Sequence, residues 1–149
     1  MKNIFVLSAL GFSCGLPYML VFSTLSAWLR DAGAALTVIG FISWAALTYS
    51  LKFLWSPFVD RIKMPLNQVV GQRRSWILMM QLLILILIMM MSQFDPISSL
   101  NFIVITAVLI AFFGSLQDIA VDAYRIELVS LDEQGNLAAS YQFGYRLSI

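Results

Sequence analysis

The sequence predicts an all-α integral membrane protein, a helix bundle of four to five spans. Hydrophobic residues fill 60% of the 149 positions and charged residues only 11%, at a mean hydropathy of +0.87. A water-soluble domain carries roughly 25% charge, so there is too little here to coat a soluble surface. The apolar residues gather into four runs, at about 4–29, 36–56, 75–93 and 100–121. Each is close to the ~20 residues a helix needs to cross ~30 Å of hydrocarbon. In lipid every backbone N–H and C=O needs a partner, and a run of this length meets that demand within itself only as a helix.

The first run, Ile4 to Leu29, is longer than the apolar core of a cleaved leader, so it is read as a span. Gly11 and Gly15 give it a small-xxx-small face for close helix packing, and Pro17 should bend it. The second run carries Lys52 near its end. The third contains an unbroken apolar stretch from Leu82 to Met91 and is expected to face lipid. The fourth ends in Gln117, Asp118 and Asp122. A fifth apolar stretch opens near Leu137 and stops at Ile149, too short to cross, so an incomplete fifth span is expected. Arg61, Lys63, Arg73 and Arg74 crowd the connection between runs two and three, whereas the connection between three and four has no Lys or Arg. The crowded loop is therefore expected in the cytoplasm, which puts the N-terminus inside, Arg30-Asp31 outside, and Asp118 to Glu133 back on the cytoplasmic side. Trp28, Trp55 and Trp76 fall near span ends, where interfacial anchors sit.

Several chemistries are excluded by what is missing. A net charge of +1 gives no global field for nucleic acid. One cysteine, Cys14, forms no intrachain disulfide and no cysteine metal cluster. With no histidine, no Ser-His-Asp triad, imidazole zinc site or histidine proton relay can be built. Gly11-Phe12-Ser13-Cys14-Gly15 matches the G-x-S-x-G nucleophile pattern, but without a preceding strand or a histidine base it reads as helix packing. Gly114-x3-Asp118-x3-Asp122 matches the tail of the phosphatidyltransferase metal motif, yet no acid lies among residues 103–113, where its head belongs. Neither an enzyme nor a metal or other cofactor is expected.

The candidate site lies in the run Gln117 to Arg125. On a helix Asp118 and Asp122 share a face, with Arg125 one turn further on and Gln117 beside them. A carboxylate inside a span is costly and marks function, while the alternative is that Asp122 and Arg125 cap the span at the headgroups. Lys52 and Asp118 both lie about 24–27 Å below the outer face at 1.5 Å per residue, so an ion pair between them is expected; otherwise Lys52 snorkels to the cytoplasmic surface. Arg146 falls near the midplane of a fifth span, where a guanidinium needs an anion: either an anionic substrate or an acid on another helix. Gln117, Gln142 and Tyr49 join it as candidate substrate contacts.

Asp60-Arg61 followed by Gly71-Gln72-Arg73-Arg74 resembles the D-R-x-G-R-R loop motif of the major facilitator superfamily, with Ser56 in place of an upstream glycine and nine residues, 62–70, inserted. Together with Gly15-Leu16-Pro17, Lys52-Phe53-Leu54-Trp55-Ser56-Pro57, Arg73-Arg74-Ser75-Trp76, Gln117-Asp118-Ile119 with Asp122-Ala123, and Gly144-Tyr145-Arg146, it resembles the AmpG-type muropeptide permeases and the related acetyl-CoA transporters. The resemblance implies the N-terminal portion of a two-half helix bundle whose C-terminal half is absent. It implies proton-coupled import of anhydromuropeptides from periplasm to cytoplasm, across a bacterial inner membrane, for cell-wall recycling. Asp118 and Asp122 would couple protons, Arg146, Gln117, Gln142 and Tyr49 would meet the anionic substrate, and Asp60, Arg61, Arg73 and Arg74 would form a cytoplasmic gate. Partners would be that substrate, protons, the lipid bilayer and the missing half. Two alternatives stay open: a carrier of acetyl-CoA or another anionic metabolite, and a truncated fragment that transports nothing.

Overall fold

A computed structural model describes residues 2–149, of which 84% are helical, with no strand among the described residues. Helix α1 (Lys2–Met19) runs through one widened π turn, Leu20–Thr24, into α2 (Leu25–Asp31), so that Asn3–Asp31 forms one helix of spanning length. Pro17 sits inside α1 and supplies no N–H to the turn before it; the widened turn that opens three residues later absorbs that distortion without ending the helix.

The second run is not a straight span. It breaks into α3 (Leu36–Ser43), α4 (Ala46–Ser50) and α5 (Lys52–Arg61), with α5 bent 53° from the helix before it. Hydroxyls cause part of this: Thr48 Oγ1 donates to the Ala45 carbonyl at 2.6 Å and Ser50 Oγ to that of Ala46 at 3.5 Å, which tilts those carbonyls out of the helical ladder. Pro57 then withholds an N–H from the first turn of α5.

The connection to the next span holds the short helix α6 (Asn67–Val70) and turns at Gly71, whose φ of 88° suits glycine alone. Helix α7 (Gln72–Met91) and helix α8 (Leu100–Leu128) form an antiparallel pair. Helix α8 runs seven residues past the end of the apolar run at 121, and Asp122, Arg125 and Glu127 all stand on it. A single 3₁₀ turn, Leu131–Glu133, leads into α9 (Gln134–Ser148). Among the described residues, three helices are long and apolar enough to cross a membrane, or four if the bent pair counts as one span.

Helices α1 and α9 run parallel with their backbones in contact. A Cβ on Gly11 would strike the Tyr141 carbonyl, one on Gly144 the Ser8 carbonyl, and one on Gly15 the Ser148 hydroxyl. Ser8 Oγ adds a hydrogen bond to the Ser140 carbonyl at 3.1 Å. Lipid offers no hydrophobic drive for helices to associate, so such small-residue contacts and dispersion hold the pair. Helix α7 corrects the expectation of a purely lipid-facing span. Ile77, Met80, Ile84 and Met91 are buried in the bundle, while Leu78, Leu82, Leu85 and Met89 are exposed. An all-apolar run carries no sequence mark of which side packs. Trp76 likewise is core rather than belt, 4% exposed, with its indole N–H on the Ile62 carbonyl at 3.1 Å.

Candidate functional site

Helix α8 presents its polar residues to four different neighbours, α5, α9, α1 and α7. Asp122 meets α5, where Lys52 Nζ lies 3.4 Å from Oδ2, and its other oxygen is 3.6 Å from Arg125 on the same helix. Asp118, one turn earlier, instead accepts a hydrogen bond from the Tyr141 hydroxyl of α9 at 3.0 Å. The Lys52 pair therefore forms with Asp122, not with Asp118. The depth argument assumed a straight second span, whereas the break before Lys52 re-aims the residue that opens α5.

Gln117 turns to α1. It is 1% exposed, and its amide N–H groups reach Ser13 Oγ at 3.2 Å and Cys14 Sγ at 3.4 Å, while Gln81 of α7 donates to the same Ser13 hydroxyl at 2.8 Å. The Gln117 carbonyl oxygen is buried without a hydrogen-bond partner among the described residues. So is the hydroxyl of Tyr49, whose ring lies over Gly114 with Tyr18 at 5.7 Å and Phe22 at 6.3 Å between ring centroids. Gly114 is required for this approach, because a Cβ there would occupy the phenol's place. Two orphaned polar atoms thus stand about one turn apart along α8, and each costs on the order of 1–3 kcal/mol unless something pairs with it.

The loop residues divide. Arg73 bridges Asp60 at 2.5 Å and Glu127 at 2.9 Å, tying α5, α7 and α8 together. Arg74 lies over the Tyr124 ring, 5.5 Å from its centroid, and donates to its hydroxyl at 3.3 Å. Arg61 is exposed and makes no ion pair among the described residues. Lys52, Ser56, Asp60, Arg73, Asp122 and Glu127 line one cleft of about 430 Å³. Arg146 and Gln142 lie on the exposed side of α9, opposite the face that packs on α1, and the structure does not gather them with Gln117 or Tyr49.

Glu127 and Tyr141 escaped the sequence reading, and Tyr124, inside the run Gln117 to Arg125, was given no role. Glu127 lies beyond that run; continuation of the helix to Leu128 puts it in reach of Arg73. Tyr141 lies one turn after Leu137 and one before Tyr145, a spacing that marks a buried face but not a polar role.

Apolar helices of spanning length that keep carboxylates, cations and buried amides between them define a multi-pass membrane protein of the transporter class. The chain belongs to the acetyl-coenzyme A transporter 1 family, whose profile matches residues 3–148, and within it to the AmpG-type permeases of the major facilitator superfamily. It is 40% identical over 144 residues to the anhydromuropeptide permease of Escherichia coli, an alignment covering 97% of this chain and 29% of that protein. It is 37% identical over 147 residues to a Rickettsia felis protein named as transporter AmpG 4, covering 99% of this chain and 36% of that one. The chain spans about a third of the length of these relatives. No solved structure matches at a significant level.

Proposed function

We propose that this chain forms the N-terminal part of a proton-coupled transporter that imports anhydromuropeptides across a bacterial inner membrane, with its N-terminus in the cytoplasm. The observation that carries this reading is the likeness to the Escherichia coli permease over nearly the whole chain. The geometry supplies a mechanism. Asp118 is the proton-carrying group: its carboxylate is held by a hydroxyl from a different helix, so sliding of α9 against α8 breaks that hydrogen bond and changes how readily the carboxylate keeps a proton. Asp122, paired with Lys52 and Arg125, is the second proton-coupling carboxylate. The Gln117 carbonyl and the Tyr49 hydroxyl, both unpartnered, offer hydrogen bonds to the amides and hydroxyls of a sugar peptide. Arg146 and Gln142, on the exposed side of α9, would meet the carboxylates of a substrate held between this part and the rest of the protein. Asp60 and Arg73, with Glu127, form a gate closed by charge pairs on the loop side, Arg74 steadies it through Tyr124, and Arg61 borders it.

The test uses the full-length protein in vesicles. Asp118→Asn keeps the shape of the side chain and removes the titratable group, so gradient-driven accumulation of labelled anhydromuropeptide should vanish while membrane abundance stays near normal. Accumulation that survives puts the coupling carboxylate elsewhere. The family description favours a second reading, acetyl-CoA as cargo; competition by acetyl-CoA against muropeptide uptake in the same vesicles separates the two.

A further inference from the structure

We propose that the connection between α5 and α7, residues 62–71, is a membrane-surface anchor, which sets Ile62, Leu66 and Val69 into the boundary of an anionic leaflet while Arg61 and Lys63 hold the phosphates of its lipid headgroups. The segment lies outside the spanning helices, which end at Arg61 and resume at Gln72. Its apolar side chains therefore do not face acyl chains by virtue of crossing the membrane. Even so, Val69 is 82% exposed, Ile62 48% and Leu66 43%. Met64 turns inward, against the cluster that contains Val59, Trp76 and Ile77. Leu66 and Val69, three residues apart on the turn that forms α6, share a side.

Two further observations say what covers this patch. The first is depth. Trp76 Nε1 holds the Ile62 carbonyl at 3.1 Å and Gln72 Nε2 holds it at 2.5 Å. The segment thus begins level with the first turn of α7 and lies along the ends of the spans. The second is charge. Of the four cations here, Arg73 is taken by Asp60 and Glu127 and Arg74 by Tyr124, whereas Arg61 and Lys63 are exposed and flank Ile62 with no carboxylate partner among the described residues. Apolar side chains at interfacial depth interleaved with unpaired cations match a surface of acyl chains edged by phosphates. On an anionic leaflet the two cations together favour the seated position roughly thirtyfold.

The test is independent of what the protein carries. Val69→Cys is labelled with an environment-sensitive fluorophore in the otherwise unaltered chain, whose native Cys14 is 1% exposed and serves as the labelling blank. In nanodiscs containing phosphatidylglycerol, emission should shift to the blue, with quenching by spin labels high on the lipid acyl chains and not by aqueous iodide. Removing the anionic lipid, or adding Arg61→Gln with Lys63→Gln, should return the label toward water. Iodide quenching in every disc overturns the proposal, because the segment then projects into water. A blue-shifted label that neither quencher reaches overturns it too, because protein then covers the patch. Equal seating in phosphatidylcholine and phosphatidylglycerol overturns the headgroup role of the cations.

Discussion

Replacing Gly11 with alanine should loosen the protein, whereas the same change at Gly40 should tighten it. In a helix interior alanine is favoured over glycine by about 0.5–1 kcal/mol, and a Cβ at Gly40, in α3, meets nothing within 4 Å. Gly40→Ala should collect that gain intact. At Gly11 the new carbon would strike the Tyr141 carbonyl oxygen and stand 3.0 Å from the carbonyl carbon and 3.1 Å from the Tyr145 nitrogen. These are backbone atoms of α9 and cannot swing aside, so α1 and α9 must separate by more than about 1 Å at this point to reach ordinary contact. A gap of that size forfeits about half of each dispersion contact nearby, and overpacking of this kind costs about 1–3 kcal/mol. After the propensity gain, the net loss is about 1–2 kcal/mol, or ~2–8 °C in unfolding temperature for a chain of this size. Cys14 supplies the assay: it is 1% exposed one turn from Gly11, so a thiol-reactive fluorophore reports unfolding during a temperature ramp in detergent. If Gly11→Ala and Gly40→Ala move the midpoint in the same direction, the close contact between α1 and α9 is not what holds them.

A double-mutant cycle on Lys52 and Asp122, read by the same melting assay, should give a coupling of about 0.2–1 kcal/mol, since the side chains are 43% and 36% exposed. The cycle on Lys52 and Asp118, which are not in direct contact, should give less; the reverse ranking would restore the deeper pair. In the turn between α7 and α8, Asp95 Oδ1 accepts from the Ile97 and Ser98 N–H groups at 3.0 and 2.9 Å and from the Ser98 hydroxyl at 3.0 Å. The Ser98 bonds above all hold this carboxyl below the usual carboxylate range. The folded turn thus prefers the charged form, so protection of these two amides from hydrogen exchange should be complete above about pH 5 and fall as pH drops through the lowered value. Protection that is flat down to pH 2, or that rises on acidification, would contradict that assignment.

Hydropathy located the spanning runs because lipid demands length and apolarity from each separately, and both are local properties. It gave no end for the helix itself, since Asp122, Arg125 and Glu127 look like the edge of a membrane, yet a helix continues where Lys52 and Arg73 supply partners. The bend in the second run was hidden as well. Thr48 and Ser50 are ordinary residues in a span until their hydroxyls turn back on the backbone. At the site, sequence spacing found that Asp118 and Asp122 share a face but not that each meets a different helix, because partner choice depends on where α5 and α9 come to lie. Gly11 and Gly15 were legible for the opposite reason: a missing side chain at i and i+4 has the same meaning on any helix that something approaches.

The contact between Ser8 and Ser140 joins positions 132 residues apart. A ribosome adding about 5–20 residues per second takes roughly 7 to 26 s to make the second partner after the first. During that interval α1 is already in the bilayer with its notched side, Ser8, Gly11 and Gly15, facing lipid or whatever factor escorts nascent spans. Helices α7 and α8, joined by a short hairpin, have no such wait. Among these helices, assembly should therefore begin with the α7–α8 pair and reach the seam of α1 and α9 later, which leaves that seam open longest to a slow ribosome or a missing escort.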